Sequence, residues 1–331
     1  MHNSKKAIAV TAGFLAALLA LSVLLSGQST HISTLEASGR VGRCDLLIVG
    51  ASQAECSFIP AVLDEALGCV SCNLAISAMT NDDKYLILER ELARNPVKTV
   101  VIEVSQDAME RPNKNDLADG NYAVYDQLAS ARDRWDYLIH HTPFDNWLYV
   151  YAKDMVSGIC GMLSLPEDTS RFENRGYMFW EPQDYTLKAE AAAMAHQSLT
   201  FSTDNYLDST IAGLDRLIAL CKQNNTRVIV AVVPVSDGFL WTYRQMDAFR
   251  LWLNAFCQER EIACYDFNLH RQRYSLFSDA ISYGSSNTHM SQPGAQAFSL
   301  LFAEVISAPG QDSQFYGSYE EMLRDSPYQT K

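Results

Sequence analysis

The chain is short of positive charge: 26 Lys and Arg stand against 39 Asp and Glu, a formal net charge of −13 at pH 7. Such a balance repels polyphosphates, so no nucleic-acid partner is expected, and broad adhesion to an anionic surface is disfavoured. The spacing of a zinc site is lacking too. Cys69 and Cys72 form a CxxC with no second one to complete it, so neither metal nor dithiol redox chemistry is expected, and no cofactor is called for. There is no internal repeat and no low-complexity tract. Charge is missing altogether from Ala7 to Leu25, nineteen positions preceded by Lys5 and Lys6.

At ~1.5 Å rise per residue, a helix of that length nearly spans a bilayer core. The flanking lysines place its amino end in the cytoplasm. The run is longer than a usual signal-peptide core, and Gly27 with Ser29 makes a poor cleavage site. An uncleaved anchor over residues 1–27 is therefore expected in preference to a removed signal peptide. Residues 28–43 are polar and read as a tether, which leaves the remainder on the far side of the membrane. Eight cysteines, an even count, permit disulfides in such a compartment without establishing a pairing.

Beyond the tether the pattern is α/β. Asp45 leads into the apolar run Leu46 to Val49, a buried strand, then Gly50-Ala51-Ser52 turns the chain and Pro60 opens a helix through Leu67. Ser71 to Ile76 predicts a second strand. A helix with Leu86, Leu88 and Leu92 on one face follows, capped by Asn81 or Asp82 and stopped at Asn95-Pro96. Thr99 to Val104 is a β-branched third strand. Strand and helix alternating in units of about thirty residues imply parallel strands with crossovers, hence a three-layer α/β sandwich, flavodoxin-like in type.

From about residue 107 to 205 the strand signal vanishes. Trp135, Tyr137, Trp147, Tyr149 and Tyr151 lie among helical spacings, and Arg175 to Trp180 forms an exposed-looking aromatic loop. This reads as a helical insertion over the carboxyl edge of the sheet, its aromatics serving as core or as a ligand platform. The rhythm resumes with a helix from Tyr206 to Gln223, a strand from Arg227 to Val233, a helix from Met246 to Glu261, a strand from Ile262 to Tyr265, and a helix from Pro293 to Ile306 capped by Ser291. The α/β domain thus covers residues 44–310, and the polar residues 311–331 read as a surface tail.

Ligands of open α/β sheets bind outside the carboxyl ends of the strands. Ser52, Ser77, Ser105, Asp107, Asp237, Asp266 and His289 fall there. Serine is a common turn residue, but at a strand-to-helix turn its hydroxyl is also exposed beside backbone N–H groups able to face an oxyanion. A nucleophilic serine needs a base. Among seven histidines only His289 lies in a loop meeting this edge; His2 and His31 belong to the anchor and tether, His140, His141 and His196 to the insertion, and His270 to a basic, surface-like segment.

GASQAECSFIPAVLDEALG, then CNLAIS, TVVIEVS and finally SSNTHMSQPGAQAF, resembles the SGNH/GDSL hydrolase superfamily, over roughly residues 44–107 and 227–306. It is similar in particular to membrane-anchored extracytoplasmic members related to the D-alanyl-lipoteichoic acid biosynthesis protein and to polysaccharide O-acetylation proteins. The resemblance implies Ser52 as nucleophile, His289 as general base, and oxyanion or substrate binding around Gly50, Gln53, Ser77 and Gln106. The chain departs from the family where an acid is expected three residues before the histidine: Ser286 stands there, with Asp279 or Asp266 as substitute acids. Small residues from Ala75 to Ala78 replace a glycine after the second strand, and Gln106 stands near the place of an asparagine after the third. The function implied is an extracytoplasmic serine esterase or acyltransferase acting on an O-acyl group of a cell-envelope carbohydrate or related ester, working with a membrane-bound acyl-transfer partner. The alternative is a degenerate fold that binds a glycan or a partner protein without turnover.

Overall fold

A computed structural model of the chain describes Gly13 and residues 43–106, 117–128, 130–163, 174–195, 208–242, 246–308, 310 and 312–328. Apart from Gly13 and Arg43, the expected anchor and tether lie outside the described residues, as do Asp107 and His196. Among those described, no helix is long and apolar enough to cross a membrane.

Five parallel strands form one sheet in the order β2-β1-β3-β4-β5. They are β1 (Leu46–Val49), β2 (Ser71–Asn73), β3 (Thr99–Glu103), β4 (Arg227–Val232) and β5 (Ala263–Asp266). The central strands are near-continuous runs of Val and Ile because both faces are covered. Alternate residues feed two cores. Leu47, Val49, Val100, Ile102, Val228 and Val230 meet α3 (Asn81–Arg94), α8 (Asp208–Gln223) and α10 (Met246–Glu259). Leu46, Ile48, Val101, Ile229 and Ala231 meet α2 (Pro60–Leu67) and α12 (Gln292–Ser307), where Phe58, Phe267, Phe298 and Phe302 pack edge to face. That is the three-layer α/β arrangement.

Several boundaries differ from the sequence expectations for local reasons. Between β1 and α2 the chain forms a further short helix, α1 (Ser52–Ser57). β2 stops at Asn73, three residues early, because the Asn73 side chain takes over: its amide donates to the carbonyls of Ala54 (2.9 Å) and Phe58 (3.1 Å), and its Oδ1 accepts the Ala75 N–H. Helix α3 is capped by Thr80 rather than by Asn81 or Asp82, since Thr80 and Asp83 exchange bonds in a capping box.

The insertion is helical, with α4 (Ala118–Asp126), α5 (Ala131–His140), α6 (Trp147–Met162) and α7 (Thr186–Ala195). After β4 comes α9 (Asp237–Thr242), and after β5 the single turn α11 (Arg273–Leu276). The surface tail is a correction. Tyr316, Tyr319 and Met322 of this segment, which includes α13 (Tyr319–Leu323), are buried, and the Tyr319 hydroxyl donates to Asp266 at 2.6 Å. Its polar residues hide an aromatic set spaced to enter the core. His270 is likewise buried instead of surface-exposed, edge-on to Phe315, and burial lowers its pKa.

Candidate active site

The site is built where β1 and β3 end. Gly50 follows β1, and a Cβ there would lie 2.5 Å from the Ala54 Cβ and 2.8 Å from Glu103 Oε2, so only glycine fits. The turn places Ser52 at the first position of α1. Its hydroxyl oxygen lies 2.9 Å from His289 Nε2 although 237 residues separate the two.

His289 is delivered by the loop between α11 and α12. A bridge pairs Tyr283 with Met290, Gly284 N–H donates to the His289 carbonyl at 2.8 Å, and Ser236, after β4, donates to the Asn287 carbonyl at 2.9 Å. Ser291 then caps α12 by accepting the Gly294 N–H. The loop is therefore fixed from both sides, which sets the imidazole over Ser52.

On the other ring nitrogen the structure departs from the sequence expectation. Ser286 faces Thr288, hydroxyl to hydroxyl at 3.1 Å, and it is Ser285 whose Oγ lies 2.9 Å from His289 Nδ1. The register is shifted by one because His289 N–H donates to the Ser286 carbonyl, closing a tight turn that leaves Ser285 beside Nδ1. For Nε2 to take the serine proton, Nδ1 must carry hydrogen and donate to Ser285. A hydroxyl can accept that bond but brings no charge.

Asp279 does not serve the imidazole. Its carboxylate accepts the N–H groups of Asp237 (3.1 Å) and Gly238 (3.2 Å) at the start of α9, and its pKa is raised to about 6 by burial and by the nearby Asp237 charge, against the pull of those N–H groups and Arg273. Asp237 itself is ion-paired with buried Arg273 at 2.7 Å. Asp266 is committed to Asn268 and Tyr319, and burial raises its pKa. The two substitute acids thus cap backbone and hold the tail.

The oxyanion candidates separate. Ser52 N–H opens a helix and has no carbonyl four residues back to bond. The Ser77 hydroxyl donates to the buried Glu55 carboxylate at 2.5 Å, and its N–H has no hydrogen bond among the described residues. Ala78 beside it adopts φ +61°, a left-handed conformation suited to the glycine expected in this stretch. The Gln53 and Gln106 side chains are buried rather than facing solvent at the rim.

Sequence reasoning missed Ser285, Glu103, Glu55 and Asn73. A charged residue at the end of an apolar strand was a usable signal for Glu103; nothing in the sequence separated Ser285 from Ser286. The aromatic loop is only partly exposed: Phe179 is 41% accessible while Tyr177 is buried. It acts as a strap. Met178 N–H donates to the Glu55 carbonyl, the Trp180 indole to Cys56 Sγ, and the Trp180 carbonyl accepts from Gln292, so it ties α1 to the start of α12. Among the described residues no cluster of three or more His, Cys, Asp or Glu could hold a metal ion.

No family model matches the sequence, and no curated protein does. Among solved structures, one described as that of a "putative lipolytic protein of G-D-S-L family" from Desulfitobacterium hafniense DCB-2 aligns with a TM-score of 0.38 at 11% identity, covering 78% of this chain and 97% of that one. A likeness that distant carries no activity across, so function is argued from the side chains.

Proposed function

We propose that the protein is a serine esterase or acyltransferase of the SGNH/GDSL type. The observation that carries this is the 2.9 Å approach of Ser52 Oγ to His289 Nε2 at the carboxyl edge of a parallel sheet. His289 removes the Ser52 proton as Oγ adds to an acyl carbonyl. The oxyanion is met by the N–H groups of Ser52 and Ser77, and the leaving alkoxide takes the proton back from Nε2. Water or a carbohydrate hydroxyl then releases the acyl group from Ser52 by the same steps in reverse.

The uncharged run from Ala7 to Leu25 supports a membrane-anchored, extracytoplasmic setting, and with it an acyl ester of a cell-envelope carbohydrate as substrate and a membrane-bound acyl-transfer partner. A fluorophosphonate probe should label the wild-type chain at Ser52 and leave Ser52→Ala and His289→Ala unlabelled. Labelling that persists in Ser52→Ala removes this mechanism. The neutral Ser285 at Nδ1 favours one rival, a non-catalytic glycan binder, because a hydroxyl there brings no charge to stabilise the imidazolium. That rival requires equal glycan affinity in wild type and Ser52→Ala, with neither labelled nor active.

A further inference from the structure

Glu103 is the last residue of β3 and is fully buried, with Ile102 and Val104 in the apolar core on either side. Putting a carboxylate there costs several kcal/mol relative to water, a cost that an apolar residue would avoid. Its Oε2 accepts the Ala51 N–H at 3.0 Å, in the Gly50–Ala51 peptide, one peptide before the one that carries the Ser52 N–H. The neighbouring carbonyls are also held: Gly50 O accepts from Ile76 at 3.4 Å and Ala51 O accepts from Glu55 at 3.1 Å. With these groups fixed, the first N–H without a hydrogen bond among the described residues is that of Ser52, and its direction follows from the Ala51 carbonyl held by Glu55 and from the preceding Gly50–Ala51 peptide held by Glu103. Gly50 belongs to the same device, because any Cβ there would push against Oε2.

We propose that Glu103 is a positioning residue: by holding the Ala51 N–H it orients the Ser52 hydroxyl toward His289 and the Ser52 N–H toward the oxyanion, without touching substrate. This rests on Ser52 being the nucleophile. What matters is the reach of the acceptor and not its charge, since a negative group beside the oxyanion donor opposes the charge that develops during attack.

Three variants separate reach from charge. Glu103→Gln keeps an acceptor at the same distance, Glu103→Asp keeps the charge and withdraws it by one methylene, and Glu103→Met removes the acceptor while filling the volume. The full chain in detergent micelles is labelled with a fluorophosphonate, and the rate at saturating probe is separated from probe affinity, well below each variant's unfolding midpoint. Glu103→Gln should stay within about 3-fold of wild type. Glu103→Asp and Glu103→Met should fall by ~10–100-fold in rate with affinity unchanged, the scale of a displacement near 1 Å at a reacting atom. If Glu103→Met does not fold, the Asp and Gln variants decide. Wild-type rates in Glu103→Asp, with only a lowered unfolding midpoint, would show a structural role and overturn the proposal while leaving Ser52 as nucleophile. A wild-type chain that takes no label removes both.

Discussion

Replacing Ser285 by aspartate should accelerate the site. Ser285 is exposed and its Oγ lies 2.9 Å from His289 Nδ1, so a side chain one atom longer finds room and keeps an oxygen within reach of that nitrogen. The variant adds a negative charge ~4 Å from the centre of the imidazolium that forms when Ser52 is deprotonated; with an effective dielectric of about 40 for a half-exposed pair, the attraction is about 2 kcal/mol. That corresponds to a plateau labelling rate about 30-fold above wild type at pH values above the variant's midpoint, with no gain below the wild-type midpoint, where the added charge stabilises the resting imidazolium equally. The same energy should move the midpoint of the pH–rate profile up by about 1.5 units. The measurement is the second-order rate of fluorophosphonate labelling across pH at low and high salt, and the gain should shrink at high salt because the pair is solvent-accessible. Ser285→Ala should cost only a few-fold, since water can replace an exposed hydroxyl at Nδ1. If Ser285→Asp leaves rate and midpoint unchanged at every pH, the contact at Nδ1 does not govern the base.

Three further outcomes follow from the packing. Asp279 has its folded pKa raised to about 6 from an ordinary 3.8, so its stabilising contribution is complete below about pH 4 and is lost as pH rises through about 6; the shift corresponds to about 3 kcal/mol. Denaturant unfolding from pH 4 to 7 should show this decline in wild type and a flatter profile in Asp279→Asn, with Asp237, Arg273, Tyr283 and Tyr328 around it unchanged. Phe298→Ala should cost about 3–5 kcal/mol in the same assay, because its ring is buried against Phe58, Phe267 and Phe302. Ending the chain at residue 311 should lower the thermal midpoint by several degrees, since it strips Tyr319 from Asp266 and Met322 from the core; an unshifted midpoint would refute the docked segment.

The strand-and-helix order was legible because hydrophobic periodicity is a local property: LLIV, the VVI of TVVIE and the VIVAV of RVIVAV are apolar on both faces, and the helices between them carry one apolar face. Ser52 was legible for a related reason, since a glycine and a small residue between a strand and a helix mark a turn whose hydroxyl must come out at the sheet edge. His289 was found by elimination among seven and by its place before a capped helix.

What the sequence settled by itself was therefore the layer architecture and the two residues that sit on its edge, both consequences of spacing along the chain. Tertiary structure alone decided which hydroxyl faces Nδ1, that Asp279 and Asp266 are spent on backbone and on the tail, and that a polar-looking terminus carries core aromatics. Those outcomes depend on directions in space, where a one-residue shift in a tight turn exchanges Ser285 for Ser286, and on contacts such as Glu103 with Ala51 that join residues 52 positions apart. Composition and periodicity contain no information about either.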